Sequence, residues 1–347
     1  MKIGIYTIAK NEAQHVRRWA KSCEDADHRL ILDTGSTDNT RFTADGYGVD
    51  VHVAKFDPWR FDVARNHALS LLPEDIDICI ALDMDEVLNP MWREQLEYYL
   101  GANPHVTRPR YKYVWSWQPD GSEGLVYGGD KIHARHGYKW KHPVHEVITP
   151  LDGEVQGWVP GLEIHHHPDP TKSRSQYFDL LKLAVDEEPD DDRNQFYLGR
   201  EYYYRGEKSS ATRHLIMATL LSKWPPEKAA AYRMLYAMNG NLTDLYRALQ
   251  QDPCRRENLV ALARHYHDHH QWQPCLQYVN AALDIESKPL DYLCEADAWS
   301  WLPYDLGAIA AYHLGDSGLA REYGQIAIGY RPDDERLRAN MGFYESR

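Results

Sequence analysis

At 347 residues the chain is too long for one ordinary core and suits two domains of about 100 to 200 residues each. A formal net charge of −13 argues against a protein that coats nucleic acid or an anionic membrane, and it requires any phosphate-bearing ligand to be neutralised locally by a metal or by Arg and Lys. Five widely spaced cysteines without a Cys-x-x-Cys pair, and the lack of any apolar run of the ~18 residues that a span needs, leave no disulfide framework, cysteine zinc site or membrane span, so a soluble cytoplasmic protein is expected.

Residues 3–8 read as a short buried strand, and Asn11 is placed to cap a helix with Ala13, Val16, Trp19 and Ala20 at helical spacing. Residues 30–32 form a second strand ending at Asp33, after which Thr34, Gly35, Ser36 and Thr37 make a turn whose Ser36 or Thr37 caps the next helix. Residues 51–54 give a third strand, and residues 62–72 a helix with Ala64, Ala68 and Leu71 on one face, stopped by Pro73. Residues 76–82 are apolar on both faces, as a central parallel strand covered by helices must be, and lead into Asp83-Met84-Asp85-Glu86. This alternation implies a doubly wound α/β sheet, in which ligands sit beyond the carboxyl ends of strands; Asn11, Asp33 and Asp83 all fall there.

Residues 106–150 change character. Tyr111, Tyr113, Trp115 and Trp117 alternate, Pro119-Asp120-Gly121 marks a turn, and a second run spans residues 131–140, which together predict strands and long loops. A strand at residues 162–164 precedes His165-His166-His167. The acidic residues 186–192 read as a solvated hinge, and the chain beyond them as helical to its end. That part carries a degenerate motif of about 34 residues that resembles tetratricopeptide repeats. Gly199, Tyr202, Gly206, Ala211, Leu215 and Ala218 form one copy. Leu259, Leu262, Ala263, Tyr266, Val279 and Ala282 form a second, and Ala308, Ala311, Gly315, Ala320, Gly324, Ala327 and Pro332 a third, while residues 225–253 fit poorly. Helix pairs of this kind bury their apolar faces only by stacking on neighbours. The expected domains are residues 1–185 and 186–347.

The chemistry concentrates at Asp83-x-Asp85, where two carboxylates at the end of a buried strand can share a divalent cation with a diphosphate. Without the ion, diphosphate and carboxylates repel by about 1 to 4 kcal/mol per charge pair at roughly 4 Å.

The phrases Thr7-Ile8-Ala9-Lys10-Asn11-Glu12, Leu32-Asp33-Thr34-Gly35-Ser36-Thr37-Asp38, Ala64-Arg65-Asn66 and Leu82-Asp83-Met84-Asp85-Glu86, in that order, resemble family 2 glycosyltransferases of the GT-A fold, and most of all the bacterial and phage branch with C-terminal tetratricopeptide-like repeats. The resemblance covers nearly the whole chain. It implies an α/β GT-A nucleotide-sugar-binding domain with a Rossmann-like sheet, followed by an all-α repeat domain that helps hold the acceptor. It implies that Thr7, Ala9, Asn11, Glu12, Asp33, Arg65, Asp83 and Met84 bind a nucleoside diphosphate sugar, commonly a UDP-sugar, with Asp33 on the base and Arg65 supporting the base and the carboxylates. Asp85, with Asp83, would hold Mn2+ or Mg2+.

Trp140-Lys141-His142-Pro143-Val144-His145-Glu146 resembles the branch's aromatic-x-x-x-Val-His-Glu segment and offers Glu146 as the base of an inverting transfer, with Asp130 as runner-up. A histidine from residues 165–167 would complete the metal shell. Alternation places His165 and His167 on one face and His166 on the other, and the family pattern favours His166. Lys10, Arg60, Lys172 and Arg174 are candidate phosphate contacts, and Asp38 and Asn66 divide between function and a local turn or helix-start contact. Trp115, Trp117, Trp140 and Trp158 mark an acceptor side whose substrate stays open among a saccharide, a protein side chain and a modified nucleobase. A homodimer through the repeats is also open.

Two rivals remain at this stage. A zinc hydrolase would need His-Glu-x-x-His or His-x-x-Glu-His, and His142-Pro143-Val144-His145-Glu146 is neither. A non-catalytic repeat scaffold with a vestigial nucleotide-sugar domain conflicts with the joint presence of Asp83, Asp85, Arg65 and Glu146.

Overall fold

Alternation along the first strand sets up the N-terminal sheet. In β1 (Ile3–Ala9), Ile3 and Ile5 enter one core with Val16 and Trp19, whereas Tyr6 enters a second core with Ala68, Leu69 and Leu72. The chain is described by a computed structural model over residues 1–118, 120–169 and 176–345, which divides into two units, Met1–Ala184 and Val185–Arg347.

In the first unit β1 is followed by α1 (Ala13–Ser22), β2 (His28–Asp33), α2 (Thr40–Asp45), β3 (Asp50–Val53), α3 (Phe61–Ser70) and β4 (Ile78–Ala81). Strands β3, β2, β1 and β4 lie side by side in parallel, as both-face burial requires. Ile78 and Ile80 of β4 face the first core, and Cys79 and Ala81 the second. Next come β5 (Glu86–Leu88), α4 (Trp92–Ala102), β6 (Arg108–Val114), β7 (Val126–Gly129), β8 (Ile132–Ala134), β9 (Tyr138–Lys141), β10 (Val147–Pro150) and β11 (Gln156–His166). Strand β8 adds an antiparallel edge to β4, with Ile132 opposite Ile80. A second sheet has the order β5-β11-β6-β7, and its pairing sets His166 opposite Glu86. Strands β9 and β10 form a separate hairpin.

Helix α5 (Tyr177–Glu187) carries the chain across the division. The acidic run is solvated over residues 186–190, which are exposed; Asp186 and Glu187 lie in the last turn of α5, and Asp191 caps the next helix by accepting from the Asn194 N–H.

The second unit is a helical-repeat array of α6 (Asp192–Tyr204), α7 (Lys208–Leu221), α8 (Pro225–Asn239), α9 (Leu242–Gln251), α10 (Arg256–Asp268), α11 (Trp272–Leu283), α12 (Trp301–Leu314), α13 (Ser317–Tyr330) and α14 (Glu335–Glu345). Each hairpin from α6–α7 to α12–α13 turns through one left-handed residue: Gly206, Gly240, His270 and Gly315. The stretch over residues 225–253, which fits the sequence template poorly, is therefore a helix pair of the same kind. Close approach fixes its relatives: a Cβ on Gly199 would lie 3.0 Å from the Leu215 backbone nitrogen. The expectation of continuous helix fails between α11 and α12, where a loop and a 3₁₀ turn (Ala296–Trp299) intervene. Fully buried Arg255 anchors that loop through Asp291 and also pairs with Asp252 at the end of α9.

A buried polar relay joins the first sheet to the β9–β10 hairpin. Trp140 Nε1 donates to the Tyr6 hydroxyl at 2.8 Å, and that hydroxyl meets His133 Nε2 at 3.0 Å, while His133 Nδ1 lies 2.8 Å from the Ala134 carbonyl oxygen. Burial lowers the His133 pKa to about 4, against the opposing pull of the Ala134 carbonyl. An unfolded histidine titrates near about 6.5, so this contribution to stability is complete above that pH and is lost as pH falls toward the folded value. Urea unfolding at about pH 7 and pH 5 is expected to show that His133→Gln removes about 2 kcal/mol of the wild-type loss. Equal losses in the two proteins would contradict this.

Candidate active site

The loops after β1 and β2 are laced together. Asp33 is fully buried at the end of β2, and its Oδ1 accepts from the N–H groups of Gly35 (3.0 Å) and Ser36 (2.9 Å), a turn that needs the positive φ of Gly35. Asp33 Oδ2 is also buried but has no hydrogen-bond partner among the described residues, so it can accept from a ligand. Asn11 does not cap α1. Its φ is positive, its backbone N–H donates to Ser36 Oγ (2.8 Å), and its Oδ1 accepts from the Thr37 N–H (2.8 Å). Asp38 serves the helix start instead, accepting from the Ala13 N–H at 3.1 Å. Ser36 and Thr37 are likewise spent on Asn11 and do not cap α2, whose N-cap Asn39 makes no side-chain cap bond.

Beyond β4 the charges alternate. Arg65, on α3, donates from Nε to Glu146 Oε1 (2.5 Å) and from Nη2 to Asp83 Oδ1 (2.7 Å). Its guanidinium lies over the Trp140 ring, 4.8 Å from the centroid. Lys131 donates to Asp83 Oδ2 and to Glu86 Oε1, both at 2.6 Å. Glu86 Oε1 also accepts from the Tyr113 hydroxyl (2.5 Å), and its Oε2 accepts from the Asp83 N–H (2.9 Å). Burial alone would raise the Asp83 pKa, but the charges of Arg65 and Lys131 outweigh it and hold the carboxyl far below its usual range. Burial raises Glu86 against the pull of Lys131. For Lys131, burial is overcome by Asp83 and Glu86, which push its pKa well up.

The pairing of β5 with β11 brings the histidines to the second Asp. The backbone N–H of His167 donates to the Asp85 carbonyl at 2.8 Å, and His166 Nε2 lies 3.5 Å from Asp85 Oδ2. His166 Nδ1 is 2.9 Å from the Trp115 carbonyl oxygen, and the ring stacks on Trp115 with centroids 4.3 Å apart. That hydrogen bond fixes the proton on Nδ1 and turns the Nε2 lone pair toward Asp85. A carboxylate oxygen and an oriented imidazole nitrogen at this separation fit a divalent cation that accepts both donor types, such as Mn2+. Burial opposes protonation of His166, yet Asp85 outweighs it and the pKa is raised.

Residues 5–148 match the family model described as Glycosyl transferase family 2. The N-terminal unit carries a family 2 glycosyl transferase domain. Glycosyl transfer is thus its class of activity. A search of curated proteins gives no match. Among solved structures, MamA is similar over 46% of this chain and 89% of its own, at 16% identity and a TM-score of 0.36. A thermophilic TPR protein of Thermus thermophilus is similar over 49% and 89%, at 16% identity and 0.35. Glucosyl-3-phosphoglycerate synthase from Mycobacterium tuberculosis, in complex with Mn2+, UDP and phosphoglyceric acid, is similar over 32% and 43%, at 22% identity and 0.28.

Within the glycosyl transferase domain, Arg65, Asp83 and Glu146 meet in one ion cluster, and Asp85 meets His166. Several expected site residues make local contacts. Met84 is a buried side chain in the same core cluster as Leu82 and Leu88, and the buried Thr7 hydroxyl donates to the Ile8 carbonyl. Ala9 accepts from the Thr34 N–H through its carbonyl, and buried Glu12 donates its N–H to Thr40 Oγ1. Asp130 turns to Arg108 (3.2 Å), His165 to Glu163 (2.8 Å), and His167 stacks on Trp117.

Lys10 is exposed, and two of the other candidates are taken up locally. Arg60 is paired with Asp62, and Asn66 holds both backbone groups of Trp140. Trp140 is buried beneath Arg65 and Trp115 is stacked on His166, so only Trp117 and Trp158 of the four tryptophans are substantially exposed. Lys172, Arg174 and Pro119 lie outside the described residues. Lys131, Glu86 and Tyr113 were missed as site residues, although Glu86 adjoins Asp85 in sequence and Lys131 adjoins Asp130, and Trp115, expected on the acceptor side, supports His166.

Arg65 is 6% exposed and neutralises two carboxylates at once. Chemical denaturation of Arg65→Ala is expected to show a loss of about 3–5 kcal/mol, the cost of leaving buried charges uncompensated. Arg65→Lys should lose less, since it keeps the charge without the two-pronged reach. An alanine variant as stable as wild type would contradict the network.

Proposed function

We propose that residues 1–185 form the catalytic domain of a metal-dependent inverting glycosyltransferase that moves a sugar from a nucleoside diphosphate sugar, a UDP-sugar, to an acceptor nucleophile. The observation that carries this reading is the single guanidinium of Arg65 bridging Glu146 and Asp83, which gathers a candidate base and the first carboxylate of the Asp-x-Asp pair into one site. Four carboxylates, Asp83, Asp85, Glu86 and Glu146, surround two permanent cations, Arg65 and Lys131. The excess of two negative charges suits one divalent cation, Mn2+ or Mg2+, and would repel a diphosphate without it.

Asp85 and His166 are the residues that would hold the cation, which when bound supplies Lewis-acid stabilisation of the leaving diphosphate. Asp33 offers its Oδ2, which has no hydrogen-bond partner among the described residues, to an N–H of the nucleobase. Glu146 is oriented through Oε1 by Arg65, which leaves Oε2 to accept the proton of the acceptor as that group attacks the anomeric carbon. The side chain is 12% exposed, enough for an acceptor hydroxyl or thiol to reach it. Asp130, bound to Arg108, lacks this connection to the Asp-x-Asp pair. The acceptor is a saccharide, a protein side chain or a modified nucleobase.

Steady-state assays are expected to show Asp85→Ala losing about 100-fold or more in kcat through lost charge stabilisation. Glu146→Gln should retain donor binding by calorimetry while its transfer rate falls by about 100-fold or more, within the range attributed to general-base catalysis. Wild-type turnover in either variant would remove the corresponding assignment.

A further inference from the structure

In the second unit residues 222–224 link α7 to α8 and residues 252–255 link α9 to α10, within the usual span of about 2 to 8 residues for packed helices, whereas residues 284–300 lie between α11 and α12. That loop does not stay beside the helices it joins. Its Tyr292 stacks on Tyr197 of α6 with ring centroids 6.2 Å apart, meets the Trp224 ring at 5.6 Å, and donates its hydroxyl to Glu227 Oε2 of α8 at 3.2 Å. Glu295 Oε1 accepts from Arg233 Nη2 of α8 at 2.9 Å, and the Glu295 backbone N–H donates to Glu257 Oε1 of α10 at 3.0 Å. Asp291 pairs with Arg255, and Trp299 Nε1 donates to Glu257 Oε1 at 2.7 Å. The loop thus reaches the first helices of three successive hairpins, which the stacking of repeats brings into one extended face.

These contacts have the character of a seated ligand. The loop supplies Asp291, Tyr292 and Glu295, and the face answers them with Arg255, with the Tyr197 and Trp224 rings, and with Arg233. Arg193 and Arg200 lie over the Tyr197 ring as well, 4.8 and 4.4 Å from its centroid, so a chain of net charge −13 gathers cations where this acidic segment sits. Leu290 is 52% exposed and the Glu295 side chain 59%, as in a segment laid over a surface and not sunk into a core. We infer that the face shared by α6, α8 and α10 is a recognition surface for an extended acidic–aromatic polypeptide segment of a partner protein, with the 284–300 loop as its resident occupant, which such a partner must displace. Aromatic and Arg side chains are the groups that carry most of the energy in protein recognition, and here they are already arrayed for one extended chain.

Tethered at both ends, the loop competes for the face at an effective concentration of roughly millimolar order, so a free segment of the same chemistry enters readily only when the loop's own hold is weakened. The test is fluorescence anisotropy of a labelled synthetic peptide with the sequence of residues 286–299, carrying Cys294→Ser, titrated with the full chain. The Tyr292→Ala/Glu295→Ala protein, which keeps Asp291 on Arg255, should bind the peptide at least about ten-fold more tightly than wild type. Adding Arg233→Ala to that protein should remove the gain, because the peptide's Glu295 loses its counter-ion, and a peptide that itself carries Tyr292→Ala and Glu295→Ala should show no gain. Equal affinity of wild type and the double variant overturns the inference, as does a double variant that binds no peptide or a gain that survives Arg233→Ala.

Should the double variant fail to fold by circular dichroism, Glu295→Ala alone, which removes only an exposed acid, is held to the same outcomes with an expected gain of about three-fold. Size-exclusion chromatography separates the remaining occupant: a wild-type dimer that Tyr292→Ala/Glu295→Ala converts to monomer would place the loop of a second copy on the face and overturn the assignment to a separate partner. A loop that only braces the helices would lower the melting temperature of the variants without opening a peptide site. No nucleotide sugar or metal enters the titration, so its result is separate from that of the transfer assays.

Discussion

The site depends on one buried guanidinium. Arg65 projects from α3 between a carboxylate at the end of β4 and a carboxylate next to β10, so elements distant in sequence share a single charge. Without it, Asp83 and Glu146 would face each other in a poorly hydrated pocket, where like charges are not tolerated. Its position is secured from below by Trp140, and Trp140 by Tyr6 and His133, so the orientation of the charge is set by the packing of the sheet itself. Lys131 repeats the device on the other oxygen of Asp83 and extends it to Glu86.

Sheet register does the equivalent work for the second Asp. Strand β11 is parallel to β6 and antiparallel to β5, and the β5 pairing fixes where the histidine run stops relative to Asp85. A shift of one residue would exchange the faces of His165 and His166. In the observed register His166 points inward and is clamped by Trp115, while His165 leans on Glu163 and His167 on Trp117. The aromatic alternation from Tyr111 to Trp117 is therefore largely internal support for polar groups, with Tyr113 on Glu86 and Trp115 on His166.

Features carried by strong periodicity or by contiguous motifs were legible from the sequence: the parallel strands, the acidic turn after β4 and the repeat helices. Features that depend on which partner a polar side chain chooses were not. Asn11 reads as a helix cap because Asn next to a helical pattern usually is one, but the neighbouring loop claims its oxygen through Thr37. Met84, between two acidic residues, reads as part of a ligand loop, yet the chain reverses there so that its side chain drops into the core. Asp130 drew attention as a candidate base, while the adjacent Lys131, in the short link between β7 and β8, is the one that meets Asp83, and Asp130 meets Arg108. Long-range charge pairing leaves little trace in a single sequence, and it is what distinguishes the residues that converge from those that only look reactive.

The central claim is that this domain uses a divalent cation to activate a nucleotide sugar. Its most direct test is release of nucleoside diphosphate from a panel of nucleotide sugars by the full chain, in Mn2+ and in chelator. The account predicts slow release from one donor in Mn2+, abolished by chelator and restored when the metal is returned. Neither turnover nor metal-dependent binding of any donor in the panel would contradict it.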